Sequence, residues 1–133
     1  MVSFSQVDTI CVDDKPKINK TNLLIEIKKQ GILYPHIALS QAIYESGHFK
    51  SSIFVKNNNL FGMRLAKSRK TTAIGQRKKY ATYNSWSDSV IDYKLWQDNI
   101  PIKYLKTQES YLYYIQKVYS ITENYINNLK KMK

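Results

Sequence analysis

The stretch Ala38-Leu39-Ser40-Gln41-Ala42-Ile43-Tyr44-Glu45-Ser46-Gly47 decides how this chain is read. Ala38, Ala42 and Glu45 recur at i, i+4 and i+7, so one helix face carries two small residues and a carboxylate. Ile37, Leu39 and Ile43 supply apolar contact elsewhere on the same cylinder. Pro35 suits the first turn of such a helix and Gly47 suits its stop. The pattern predicts a helix over 36–46 with Glu45 at its C-terminal end.

On the N-terminal side, Thr21 is the expected cap of a helix over 22–30, with Lys28 and Lys29 in its last turn and Gly31 ending it in the left-handed conformation. On the C-terminal side, 51–59 reads as a polar-edged turn region, because Asn57-Asn58-Asn59 opposes both helix and strand. Leu60–Leu65 and Lys79–Tyr83 read as two extended pieces. A basic stretch containing Gly75 lies between them, which predicts an irregular β-hairpin or small sheet. Ser85-Trp86-Ser87-Asp88 matches a capping box, and Val90, Ile91, Tyr93, Leu95 and Trp96 give the following helix its apolar side up to Pro101. From Glu109 to Lys131, apolar or aromatic residues at 112, 115, 118, 119, 125, 126 and 129 keep helical spacing. The order helix, helix, short β element, helix, helix gives an α+β class: a mainly helical body with a small β-hairpin insertion and a ligand cleft between the two parts.

The length of 133 residues and the 43% apolar content fit one globular domain over 1–133, with residues 1–18 as a loosely attached lead. Lys and Arg outnumber Asp and Glu by 21 to 10, a net charge of +11 that draws polyanions. From Glu45 to Asp88 there is no acidic residue, while Lys50, Lys56, Arg64, Lys67, Arg69, Lys70, Arg77, Lys78 and Lys79 fall there. That interval is either a solvated face or a surface that meets an anionic substrate. The only cysteine, Cys11, cannot form an internal disulfide and reads as a small apolar residue. His36 and His48 have no metal-site spacing, so no metal or cofactor is expected. The start lacks the basic and apolar regions of a secretory signal, and no apolar run approaches a membrane span. No RNP-like word, zinc-finger spacing or helix-turn-helix pattern accompanies the basic charge, so specific nucleic-acid binding is not expected.

The chemistry centres on Glu45. A helix C-terminus carries partial negative charge and disfavours an ionised carboxylate, as does an apolar surround. A carboxyl kept protonated near neutral pH is what a glycosidase uses to protonate its leaving oxygen. An ordinary exposed glutamate satisfies the same position equally well, and the local words decide between the two. The 38–47 stretch, then Asn58-Asn59-Leu60-Phe61-Gly62-Met63, then Tyr83-Asn84-Ser85-Trp86-Ser87-Asp88-Ser89-Val90-Ile91-Asp92-Tyr93, resemble the bacterial and phage glucosaminidase family. These are the endo-β-N-acetylglucosaminidases of autolysins, flagellar rod-cap hydrolases and phage lysins (endolysins). The resemblance spans 37–93 and more weakly the terminal helix. It implies a lysozyme-like fold, Glu45 as general acid, and peptidoglycan glycan strands as substrate, with anionic wall polymers as further partners. Asn58, Asn59, Phe61, Tyr83 and Tyr114 become substrate-binding candidates, Phe61 being equally readable as core. The family's functional tyrosine in the terminal helix maps best to Tyr111, as a hydroxyl that orients the acetamido group or a water.

Two departures shape the expected mechanism. The family's Glu-Ser-Gly-Trp-Gly is Glu45-Ser46-Gly47-His48-Phe49 here, with the aromatic moved by one and the second glycine absent. Many members also carry a second carboxylate on the β element, and this chain has none there. Retaining glycosidases place two carboxyls about 5 Å apart and inverting ones about 6.5–9.5 Å apart. Asp88 or Asp92 is left as partner, although Asp88 is already explained as part of a helix cap. The expectation is therefore β-1,4 cleavage of N-acetylglucosaminidase type with one Glu and help from the substrate's own N-acetyl group. The alternatives are lytic transglycosylase or muramidase-type cleavage, or an inactive wall-binding virion structural protein. The protein is expected to be a monomer unless built into a virion or larger assembly. Its expected place of action is the bacterial cell wall, reached from a virion, through a lysis system or within a parent polypeptide.

Overall fold

Helix α1 (Lys20–Lys29) starts from Asn19, whose side chain accepts the Asn22 N–H at 2.7 Å. Thr21, the expected cap, lies inside the first turn; the extended backbone at Asn19 is what aims a side-chain oxygen at the orphan N–H groups. Gly31 ends the segment at φ 72, as the sequence indicates. The computed structural model that carries these features describes residues 16–119 and Asn127. Cys11, most of the N-terminal lead and the C-terminal part of the last expected helix lie outside those residues. The end of the lead is tied down, since Pro16 accepts a hydrogen bond from Trp86 Nε1 at 3.0 Å and Ile18 packs on the core.

Helix α2 (Pro35–Glu45) opens on the proline and is buried continuously from Ile37 to Ile43. It is the central element. On one side Leu23 and Ile27 of α1, Ala38, Leu39 and Ala42 of α2, and Leu60 and Phe61 form the main core with Val90 and Tyr93. Those last two come from α4 (Trp86–Gln97), the helix capped by Ser85 through the Asp88 N–H at 3.3 Å. Each fully buried Leu or Ile contributes about 1.5–3 kcal/mol relative to exposure. On the other side Ile37 meets Ile100 and Tyr111, Leu112 and Ile115 of α5 (Gln108–Val118). A 3-10 turn, Ile102–Tyr104, follows Pro101, and Thr107 and Ser110 form a reciprocal capping box at the start of α5.

Between α2 and α4 the sequence expectation needs correction. Residues 51–59 are not simply a turn region: Ser51 caps a short helix α3 (Ser52–Asn57), and Asn58 ends it at φ 56. Leu60–Leu65 forms no strand either. The sheet pairs β1 (Gly75–Arg77) with β2 (Tyr80–Thr82), antiparallel, Gln76 facing Ala81. Lys78 and Lys79 make the two-residue turn, with φ of 54 and 72, the backbone of a I′ hairpin that Asn-Gly normally signals. The 60–65 segment runs beside β2 and shares one backbone bond with it, Ala81 N–H to Met63 O at 2.9 Å. The class is as expected: α+β, mainly helical, with a small hairpin inserted. Among the described residues no helix is long and apolar enough to cross a membrane.

A buried polar network locks α2, α4 and α5 together. Tyr93 donates to Gln41 Oε1, Tyr93 and Tyr111 share a hydrogen bond of 2.5 Å, and Gln97 Nε2 donates to Tyr111 at 2.9 Å. Gln97 Oε1 also accepts the Leu33 N–H at 2.7 Å. Burial pushes the Tyr111 phenol up to about 12 against its two hydrogen bonds, which pull the other way. Burial, and secondarily the neighbouring Asp92 charge, raises Tyr83 as well. A tyrosine whose pKa is raised on folding stabilises fully below the unfolded value of about 10 and loses that contribution as pH climbs through the folded value. The protein is therefore expected to lose stability between about pH 10 and 12. Thermal melts by circular dichroism, run beside phenolate absorbance, check this; flat stability through that window would contradict it.

Candidate active site

Glu45 is the last residue of α2 and is half-buried. The chain then turns through three consecutive left-handed residues, Gly47 (φ 59), His48 (φ 57) and Phe49 (φ 68). Only glycine takes that conformation without steric cost, which for other residues is about 1–2 kcal/mol each. The turn is held by Ser46, buried, whose Oγ accepts the Phe49 N–H at 3.0 Å and whose carbonyl accepts the Lys50 and Ser51 N–H groups. The departure from the family word has its reason here: Phe49, standing in a left-handed position, packs its ring 6.0 Å from Phe54 and onto the core.

The asparagine triplet positions the opposite wall. Asn57, fully buried, donates to the carbonyls of Arg77 and Tyr80, so it clamps the hairpin to the end of α3. Asn58 Nδ2 donates to Tyr83 O at 2.9 Å. Asn59 Nδ2 donates to Met63 O and Ala81 O at 2.8 and 2.9 Å, and its Oδ1 accepts the Met63 N–H. The loop closed by Asn59 contains Gly62 at φ 65, and a Cβ there would stand 3.1 Å from Glu45 Oε1. Glycine is required twice over, by conformation and by the approach of the carboxylate. Gly62→Ala is expected to cost about 1–2 kcal/mol of stability. It should also lower turnover about tenfold in the folded protein, because Oε1 must retreat by a few tenths of an ångström. Unchanged turnover beside a lowered melting temperature would show that Glu45 tolerates displacement.

Glu45, Gly62, Met63, Arg64, Arg69, Tyr80, Trp96, Val118 and Tyr119 line a cleft of about 500 Å³. Glu45 is the sole carboxylate among the described residues lining it. Tyr119, the C-cap of α5, is half-buried with its ring edge-on to Trp96 at 6.1 Å. Desolvation pushes its hydroxyl well above the usual tyrosine range, and the Glu45 charge adds to that while Arg69 opposes it. Its hydroxyl therefore sits within the fields of both groups and keeps its proton.

The other sequence candidates lie elsewhere. Tyr111 is fully buried with its hydroxyl spent on Tyr93 and Gln97. Asp88 sits in the first turn of α4, where its carbonyl accepts the Thr72 hydroxyl. Phe61 is fully buried with its ring 4.4 Å from Tyr93, and Tyr114 stands 4.9 Å from the Tyr104 ring. Tyr83, buried, donates to Asp92 Oδ2. None of these lines the cleft, nor do Asn58 and Asn59, which hold its wall. Asp92, fully buried, accepts from Arg69 Nη1 at 2.6 Å, Thr71 Oγ1 at 2.7 Å and Tyr83, so it is an anchor inside the wall. Tyr119, which in the sequence is only one aromatic of a helical stripe, lines the cleft as well. His36 and His48 are exposed, and among the described residues no three His, Cys, Asp or Glu side chains gather as a metal site.

Residues 21–133 match the family model Glucosaminidase, described as mannosyl-glycoprotein endo-β-N-acetylglucosaminidase. The chain is similar to protein bax of Escherichia coli strain K12, 38% identical over 72 residues, which is 54% of this chain and 26% of that protein. The match thus spans about a quarter of that relative's length. The fold is similar to the catalytic domain of the autolysin Auto from Listeria monocytogenes, with a TM-score of 0.53 at 18% identity, covering 99% of this chain and 93% of that one.

Proposed function

This chain belongs to the glucosaminidase family, and from that premise we propose that it hydrolyses the β-1,4 bonds of peptidoglycan glycan strands as an N-acetylglucosaminidase. The observation that carries the reading is Glu45 itself. It stands at the end of a rigid, buried helix, faces the Gly62 backbone at close range, and is the one carboxylate among the described lining residues of the cleft.

One carboxyl suits a mechanism in which the substrate supplies the nucleophile. Glu45 donates its proton to the glycosidic oxygen, and the bond to the anomeric carbon breaks. The carbonyl oxygen of the substrate's N-acetyl group closes on that carbon to give an oxazolinium ion. Glu45, now ionised, takes a proton from water as the water opens the ring, and the cycle is complete. Tyr119 lines the same cleft as Glu45 and keeps its proton, which supports it, rather than the buried Tyr111, as the donor to the acetamido group or the water. Trp96 and Tyr80 offer aromatic surface for sugar rings in the same cleft. Asn58, Asn59, Phe61 and Tyr83 act by holding the wall, and the basic surface favours encounter with an anionic wall.

Mass spectrometry of fragments released from purified wall tests the bond assignment. New N-acetylglucosamine reducing ends are expected. Muramic or anhydro-muramic ends would replace the assignment with muramidase or transglycosylase chemistry, and no release would remove the hydrolase reading.

A further inference from the structure

The cleft holds more positive charge than a neutral sugar chain calls for. Arg64 and Arg69 line it together with Glu45, and no acidic residue occurs in the sequence from Glu45 to Asp88. Arg69 is built in. Its Nη1 donates to the fully buried Asp92 at 2.6 Å and to Lys70 O at 2.8 Å. Asp92 is held in turn by Thr71 and Tyr83. The guanidinium is thus fixed before any ligand arrives, which removes the ordering cost that a free arginine carries into binding.

Its other end is not used up. Among the described residues Nη2 meets only the Met63 thioether at 3.9 Å, and sulfur of that kind is a weak acceptor. An arginine that served Asp92 alone could be closed off in the wall, yet this side chain keeps 15% of its surface exposed, and it lines the cleft. Arg64 is exposed and stands over the Tyr80 ring, 5.3 Å from its centroid. Among the described residues it has no carboxylate partner. A planar ion with two acceptor oxygens is what paired guanidinium donors recognise best.

Resting on the hydrolase reading, we infer that Arg69 and Arg64 form a specificity subsite for a carboxylate carried by the glycan strand, so that the cleft selects acid-bearing wall glycan over neutral N-acetylglucosamine polymers. Wall glycan offers that group in two places: the lactyl ether of muramic acid where no peptide is attached, and the side-chain or terminal carboxylates of the stem peptide. Both present the same ion to the same donors.

The test measures binding by calorimetry to the Glu45→Gln protein, so that no ligand is consumed. Four ligands of matched sugar length are used: a chitin oligosaccharide, an amidase-stripped glycan strand with free lactyl carboxylates, a stem-bearing strand, and a stem-bearing strand whose carboxylates are amidated. At least one of the two carboxylate-bearing strands is expected to bind about tenfold more tightly than chitin, the effect of one charge-assisted contact of about 1.5 kcal/mol. Which of them does so identifies the source, and amidation should abolish any stem-dependent gain. Arg64→Gln, at an exposed position, and Arg69→Lys, which keeps the charge beside Asp92, are each expected to shrink that ratio to about threefold or less. A double Lys78→Gln, Lys79→Gln variant at the exposed hairpin turn controls for the general positive field and should leave the ratio intact.

Equal affinity for all four ligands, or undetectable binding to all, overturns the inference. So does a ratio lost as fully in the lysine variant as in the arginine variants. Wild-type cleavage assays separate this from the hydrolase reading. Cleavage of wall glycan with no carboxylate preference leaves the hydrolase standing alone, while a carboxylate preference in a protein that cleaves nothing leaves the subsite standing alone.

Discussion

Glu45→Gln is expected to abolish release of glycan fragments while leaving the fold intact. Glutamine matches the shape of the side chain and keeps a hydrogen-bonding oxygen, but it has no proton to give to a leaving alkoxide. General acid catalysis accounts for about 10²–10⁴-fold in rate, so turnover on purified wall should fall at least about 10²-fold. Glu45 is half-buried at a helix end and its neighbour Gly62 presents backbone, so the isosteric change should alter stability by no more than about 0.5 kcal/mol. The measurement pairs fragment release with the melting temperature of the same preparation. Equal release by the two proteins would take Glu45 out of the chemistry. A large drop in melting temperature would instead show that its hydrogen bonding, rather than its proton, is what the site needs.

Asp92→Ala is the second large effect, and it is expected first in stability. The carboxylate is fully buried and accepts from Arg69, Thr71 and Tyr83, so its removal orphans three donors and leaves a guanidinium without its counter-ion. Breaking a buried pair by removing one partner costs about 3–5 kcal/mol. For a domain of this size that lowers the melting temperature by roughly 10–20 °C. The loop carrying Arg69 should loosen with it, so wall cleavage in the remaining folded fraction should also weaken. Asp92→Asn separates the possibilities, since it keeps the shape and one acceptor oxygen but removes the charge and turns the other oxygen into an NH2 donor. An intermediate melting temperature with activity largely retained is expected. A collapse of turnover at unchanged melting temperature would make Asp92 a chemical partner of Glu45 rather than the anchor of Arg69.

The two predictions also mark what could be read without coordinates. Pro35, the small-residue face of 38–45 and Gly47 act through neighbours three or four residues away, and local rules place Glu45 at a helix end for that reason. Ser85 capping Asp88 is equally local. The hairpin was anticipated, but not its first strand, because its turn is Lys78-Lys79 at positive φ, a pair that carries no turn signal. The asparagine triplet was seen to break regular structure. Its work is to bond backbone 20 residues and more away, which no window of sequence reveals.

By itself, then, the chain of residues determined the order of the four longer helices, though not the short α3, together with the α+β class, the family words and the residue to test first, since all of these rest on local spacing. Tertiary structure alone decided which groups share the cleft with Glu45. Tyr119 comes to it from the end of α5, and Arg69 is brought by a bond to Asp92 across 23 residues of sequence. Tyr111, the tyrosine that the sequence pattern singles out, is drawn into the core. Tyrosine and arginine carry both an apolar body and a polar tip, so their sequence pattern is the same in a core as in a cleft wall. Only the packing of α5 against α2 and α4 determines which tyrosine gives its hydroxyl to the interior and which lines the cleft with Glu45.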